Sequence, residues 1–291
     1  MPDLLKMTLD GLGPLVPARF RSDTPVVPVV RLSGIIGTVT QWRPGLTLAS
    51  QAKVLDKAFG VRNARAVALL INSPGGSPAQ SHLIFRRIRE LAAEKKLPVL
   101  AFVEDVGASG GYMLSCAADE IFADPFSVVG SIGVVSGGFG FEKLIDKIGV
   151  ERRLHTSGER KAMLDPFLPE KPEDVERLKT IQKDIHEHFI ALVKERRDSR
   201  LAGADETLFS GEFWTAPGAL KLGLIDGIGE LRSVLRERYG EKVRTPLISA
   251  EKGSLVRRLI GLRTPDLSLP RLADDLIATL EERAIWSRYG L

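Results

Sequence analysis

Cysteine is almost missing from this sequence: Cys116 is the only one in 291 residues. An internal disulfide is excluded, and a reducing compartment is the natural setting. Long apolar runs are missing too. No window reaches the roughly 18 consecutive apolar residues that a membrane-spanning helix needs. The opening MPDLLKMTLDGLGPLVPARF places Asp3, Lys6 and Asp10 inside any apolar stretch, unlike a secretory signal. Charge of one sign is not in excess. The net charge is +4 and the basic residues are spread along the chain, which argues against a nucleic-acid partner. No Gly-x4-Gly-Lys-Ser/Thr phosphate loop is present, so an energy-driven activity would need another protein. The expectation is a cytoplasmic, soluble protein with no cofactor.

What is present is ordinary in bulk and patterned in detail. An apolar fraction of 44% and a charged fraction of 27% suit a globular chain of one or two domains. After an irregular, Pro- and Gly-rich arm (1–24), strand-like and helical segments alternate. VVPVVRLSGIIG (26–37), RAVALLI (65–71), LPVLAFV (97–103), EIFA (120–123) and SVVGSIGVV (127–135) read as strands. LASQAKVLDKAF (48–59) and AQSHLIFRRIRELAAEKK (79–96) read as helices, the second with apolar Leu83, Ile84, Ile88 and Leu91 at helical spacing. Apolar strands alternating with helices predict an α/β fold with helices on both faces of a sheet. A long helix is predicted over 171–200 with Pro172 in its first turn, then helix, short strand and helix over 215–240. Two amphipathic segments follow between 251 and 291.

Two glycine clusters, Gly75-Gly76 and Gly107 to Gly111, directly follow strands. In such sheets, that places them in one crevice at the strand carboxyl ends. Ser109 lies inside the second cluster, in GASGG. A small residue there reads either as a helix cap or as a nucleophile approached through space the glycines clear. In INSPGGS, Gly75 and Gly76 leave backbone N–H groups free to face a ligand, and a serine nucleophile needs such donors for its oxyanion. A base is also required. Lys161, in the turn-rich HTSGERKAMLDPFLP, is a candidate, because a lysine works as a base once an apolar cleft keeps it neutral. Of the four histidines, His186 and His188 in HEH point about 200° apart on a helix and cannot share a metal ion. His82 reads as a packed or surface side chain, and His155 is a weaker base candidate.

Taken together, these segments resemble the serine–lysine signal peptide peptidases of the SppA and SohB type, whose fold is related to the Clp peptidase and the crotonases. The resemblance is carried by INSPGGS (71–77), DVGASGGYMLSCAADEIFADP (105–125), VVGSIGVV (128–135), SGERKAMLDPF (157–167) and WTAPGALKLGLIDGIG (214–229). It implies a Clp/crotonase-like fold of repeated ββα units. The catalytic domain is expected over 25–240, with a C-terminal amphipathic helical extension over 241–291. By position, the resemblance makes Ser109 the nucleophile, Lys161 the general base and Ser131 the residue that orients the lysine. The N–H groups of Gly76 and Gly110 become the oxyanion hole. No histidine follows Ser109 where a Clp-type peptidase carries one, so a Ser-Lys dyad is favoured over Ser-His-Asp.

The resemblance further implies a homo-oligomer in which Ser109 and Lys161 come from adjacent subunits. The implied activity is ATP-independent endopeptidase cleavage of signal-peptide remnants or other short or unfolded apolar peptides, through an acyl-enzyme. Many members carry an N-terminal membrane anchor, and none is readable here. The basic KGSLVRRLIGLR (252–263) is a candidate for peripheral membrane contact, with a partner-facing helix the favoured reading. A crotonase-like acyl-CoA enzyme and a non-catalytic assembly subunit are the alternatives.

Overall fold

Parallel strands that are apolar on both faces need helices on both faces, and that requirement shapes the molecule. The computed structural model describes residues 24–37, 45–249, 279–280 and 283–291. Residues 1–23 of the arm and the basic stretch 252–263 lie outside the described residues. The strands are β1 (Val29–Ser33), β2 (Val67–Ser73), β3 (Val99–Ala108), β4 (Glu120–Ala123), β5 (Val128–Gly130), β6 (Phe213–Thr215), β7 (Gly227–Ile228) and β8 (Leu247–Ile248). They run in the order β6-β5-β3-β2-β1-β8, and β4 joins β3 to β7 off this path. Every pairing is parallel except β5 with β6.

On one face lie α1 (Leu48–Phe59), α2 (Pro78–Lys95), α3 (Gly110–Ser115) and the end of α5 (Pro172–Arg197). Helix α1 begins with a capping box between Thr47 and Ser50 and buries Val54, Leu55, Ala58 and Phe59. Helix α2 starts at Ser77 and Pro78, where a proline costs no hydrogen bond, and buries Ile84, Phe85, Ile88 and Leu91. Full burial stabilises each such aliphatic side chain by about 1.5–3 kcal/mol. The opposite face carries Val27, Val29, Ala68, Leu100 and Phe102 beneath Leu235 of α8 (Leu231–Tyr239). Short helices also form at α4 (Glu142–Lys147), α6 (Asp205–Leu208) and α7 (Ala216–Lys221). The result is a mixed α/β molecule with a mostly parallel sheet flanked by helices, as the alternating pattern predicts.

Two features position the site. First, β3 is longer than its partner requires. Ile71 pairs with Val103, yet Ser73 pairs with Gly107, so extra residues bulge out of β3. Asn72 holds that bulge: its Nδ2 donates to Asp105 Oδ2 at 2.6 Å and its Oδ1 accepts from Val106 N at 3.3 Å. Second, β5 ends at Gly130, where the sequence pattern predicts a strand to Val135. The backbone turns there, with φ of 113° at Gly130 and 55° at Ser131, a region a strand cannot use.

Candidate active site

Ser109 sits at the turn from β3 into α3 with φ 53° and ψ −122°. A non-glycine residue in that region carries about 1–3 kcal/mol of backbone strain. Glycine would relieve it, and the hydroxyl gives α3 no side-chain cap and has no hydrogen bond among the described residues. The position is held by backbone bonds. Ser109 N donates to Gly130 O at 2.8 Å, and Ser109 O accepts from Met113 N at 3.0 Å. The side chain is half-buried.

The other glycine cluster does share this crevice. A Cβ on Gly75 would lie 2.7 Å from Gly110 N and 2.8 Å from Ser109 Cβ, so the 74–76 turn packs directly on the serine. Ser73 shapes that turn: its hydroxyl donates to Gly34 O at 2.7 Å and accepts from Gly75 N at 3.2 Å. Gly76 passes Ile36 so closely that a Cβ would come within 2.1 Å of the Ile36 carbonyl oxygen. Among the described residues, neither Gly76 N–H nor Gly110 N–H donates to a protein acceptor. Two N–H groups without an acceptor among the described residues therefore lie beside Ser109.

Ser131 is the residue after Gly130, whose carbonyl holds Ser109 N, so the two serines lie on neighbouring strand ends. Ser131 is 7% exposed, donates its N–H to Glu212 O at 2.6 Å, and accepts a hydrogen bond from the Tyr289 hydroxyl at 3.3 Å. Sequence reasoning did not find Asn72, Ser73 or Asp105. They lie within the quoted motifs but have no reactive role, and only the register shift shows what they do. Nor did it find Tyr289, which reaches Ser131 only through long-range docking.

Lys161 is placed elsewhere. It lies on an exposed turn, its N–H donating to Gly158 O at 3.2 Å. Among the described residues, the hydrogen bonds of segment 134–168 close within that segment. Phe141 N reaches Pro166 O, and Arg152 pairs with Asp165 at 2.8 Å. Helix α4 buries none of its residues. The structure thus brings together Ser109, Ser131, Gly76 and Gly110, and leaves Lys161 on an arm with no bond to them.

The Cys116 thiol and His186 are otherwise engaged. Burial pushes the Cys116 thiol up to about 12, which leaves no useful thiolate at neutral pH. His186 donates from Nε2 to Ile132 O at 3.0 Å, tying α5 to the segment after Ser131. His155 is exposed, and His82 stacks on Phe85. A cavity of about 700 Å³ lies on the α8 side of the sheet, bordered by Phe102, Asp124, Ser127, Leu231 and Tyr289. Neither Ser109 nor Ser131 borders it, whereas Tyr289 does. Among the described residues, no helix is long and apolar enough to cross a membrane.

Known proteins resemble this chain over different lengths. The model of Peptidase family S49 matches residues 91–242. The chain is 55% identical over 295 residues to a Na(+)/H(+) antiporter NhaA of Brucella abortus (strain 2308), covering 99% of this chain and 40% of that protein. It is 32% identical over 253 residues to the chloroplastic serine protease SPPA of Arabidopsis thaliana, covering 84% of this chain and 35% of that one. A solved structure of the 1510-N membrane-bound stomatin-specific protease, in mutant form, aligns with a TM-score of 0.44 at 18% identity, over 78% of this chain and 93% of that chain. The chain therefore spans well under half the length of these two curated relatives. The family match covers just over half of the chain, from the end of α2 past α8, with Ser109, Ser131 and Lys161 inside it, and this chain belongs to peptidase family S49.

Proposed function

We propose that this protein is a serine endopeptidase with a Ser109–Lys161 dyad. The observation that supports it best is Ser109 itself, a strained serine where glycine would sit freely, its hydroxyl and two neighbouring N–H groups having no hydrogen-bond partner among the described residues. Ser109 attacks the scissile carbonyl. The tetrahedral oxyanion is received by the N–H groups of Gly76 and Gly110, a donor being worth about 3–4 kcal/mol in serine hydrolases. Lys161 removes the serine proton, passes it to the leaving amine, and then activates the water that releases the acyl group. Ser131 orients the lysine amine.

The exposed arm carrying Lys161 favours a dyad completed between two copies of the chain. A neighbouring copy seated against the arm also supplies the apolar enclosure a neutral amine requires. Short or unfolded apolar peptides, signal-peptide remnants among them, are the proposed substrates, because the described residues beside Ser109 offer backbone donors that suit a peptide carbonyl. The catalytic unit is proposed to occupy residues 25–240.

A serine-directed acylating probe tests this reading. The wild-type protein should be labelled at Ser109, and Ser109→Ala should lose both label and peptide cleavage. Label that persists in Ser109→Ala, or thioester turnover without peptide cleavage, would reject the assignment.

A further inference from the structure

Of all the polar contacts in the site, one joins residues that the motifs leave unconnected. The Tyr289 hydroxyl donates to Ser131 Oγ at 3.3 Å, across 158 residues of chain, in a buried setting. The last residues close a turn, with Tyr289 N donating to Trp286 O at 2.9 Å and Gly290 N to Ser287 O at 3.1 Å. That turn docks Tyr289 and Trp286 on Val106, Ala108 and Val128. These residues belong to the ends of β3 and β5, the strands that deliver Ser109 and Ser131. The Tyr289 ring also meets Phe213 edge-on, with centroids 5.1 Å apart and planes at 61°. Phe213 pairs with Gly130, the residue before Ser131. The phenol is therefore held by packing on several sides, with its one polar atom aimed at the Ser131 hydroxyl.

From this geometry we infer that Tyr289 is a positioning residue of the catalytic site: it fixes the Ser131 hydroxyl, making the C-terminal residues part of the peptidase machinery. The inference rests on the role proposed above for Ser131. A hydroxyl rotates freely unless its partners restrain it, and Ser131 is useful to a lysine only if its proton and lone pairs have set directions. By donating to Ser131 Oγ, Tyr289 occupies one lone pair. It leaves the second lone pair and the Ser131 proton for the incoming amine. Chained hydrogen bonds of this kind strengthen one another in a low-dielectric site. The apolar contacts of Tyr289 fix the distance, and its hydroxyl supplies the direction.

A double-mutant cycle in the full chain tests the inference, with kcat and KM read separately for an apolar peptide substrate. Tyr289→Phe keeps the ring and its packing and removes the donor. Ser131→Gly removes the acceptor at a position whose φ of 55° glycine adopts without strain. Tyr289→Phe should lower kcat about tenfold with KM nearly unchanged, the loss of one buried hydrogen bond. In the Ser131→Gly background, the same change should have no further effect, because the partner it acts through is gone. Equal losses in both backgrounds would overturn the inference, since a merely structural tyrosine acts regardless of Ser131. A Tyr289→Phe enzyme as fast as or faster than wild type would also overturn it, the latter indicating that the phenol competes with the lysine. The two readings fail separately. Ser131→Gly at wild-type kcat removes the Ser131 role and the inference together, whereas a slow Ser131→Gly beside an unimpaired Tyr289→Phe removes the inference alone.

Discussion

At the scale of single residues, two glycines with nearly the same φ have different consequences. Gly34 (φ 103°) and Gly75 (φ 99°) both lie where side chains are strained. A Cβ on Gly34 meets nothing within 4 Å, while on Gly75 it meets Gly110 N and Ser109 Cβ below 3 Å. Gly34→Ala should therefore cost about 1–3 kcal/mol of stability by strain alone and leave kcat/KM near wild type. Gly75→Ala adds a collision with backbone that cannot yield without moving the serine. Its kcat/KM should fall by about a hundredfold or more, the range in which a misplacement near 1 Å is felt. Chemical denaturation and initial-rate kinetics on the pair separate strain from site geometry. The sequence already pointed to one crevice for both glycine clusters, because each directly follows a strand. The sign of φ at Ser109 was beyond it, since a serine in GASGG reads equally well as an ordinary cap.

Among the elements, α5 shows how a long helix is tied to the sheet. Its first half presents polar residues, and its end buries Phe189, Leu192, Val193 and Arg197. Arg197, only 1% exposed, donates to Gly223 O and pairs with Asp226 at 2.7 Å. Asp226 in turn accepts from Ile121 N of β4 at 2.7 Å. Burial works against the Asp226 charge, but the hydrogen bonds from Arg197 and Ile121 hold its carboxyl below the ordinary value. The folded form is thus the weaker proton binder. Its contribution is fully present above the unfolded carboxylate range near pH 3.9 and is lost as pH falls through the lower folded value. Asp226→Ala should remove this acid sensitivity and strand the Arg197 charge, costing about 3–5 kcal/mol at neutral pH. Urea titrations of both proteins between pH 3 and 7 would check the sign and the size.

Elements of this kind were legible where the pattern was strong. Helix α1 and strand β4 fall on the segments predicted for them, because an apolar stripe or run ends in an evident stop. Strand β5 was overextended, because GSIGVV keeps an apolar alternation that the backbone abandons at Gly130. The β3 bulge and the Tyr289–Ser131 contact depend on register and on long-range docking, which local periodicity does not carry.

At the scale of the whole molecule, apolar side chains stand exposed on the segment that carries Lys161. Val135 (70%), Phe139 (75%) and Ile148 (65%) stand in solvent on the same segment that carries Lys161. Exposed apolar side chains on one segment would suit an interface with another copy of the chain. If that interface joins one copy's lysine to the next copy's serine, Ser109→Ala and Lys161→Ala proteins should each be inactive alone and active when co-assembled. With random mixing in equal amounts, a working site needs one intact serine and one intact lysine from the neighbour. Such sites form about a quarter of the time in a closed ring of one interface type. Activity should thus return to roughly a quarter of wild type, and only after subunits exchange. A dyad within one chain forbids recovery at any ratio, because no chain then holds both residues. Mixed oligomers verified by mass spectrometry and still without activity would therefore place the lysine and the serine on the same chain and remove the arm from its proposed role.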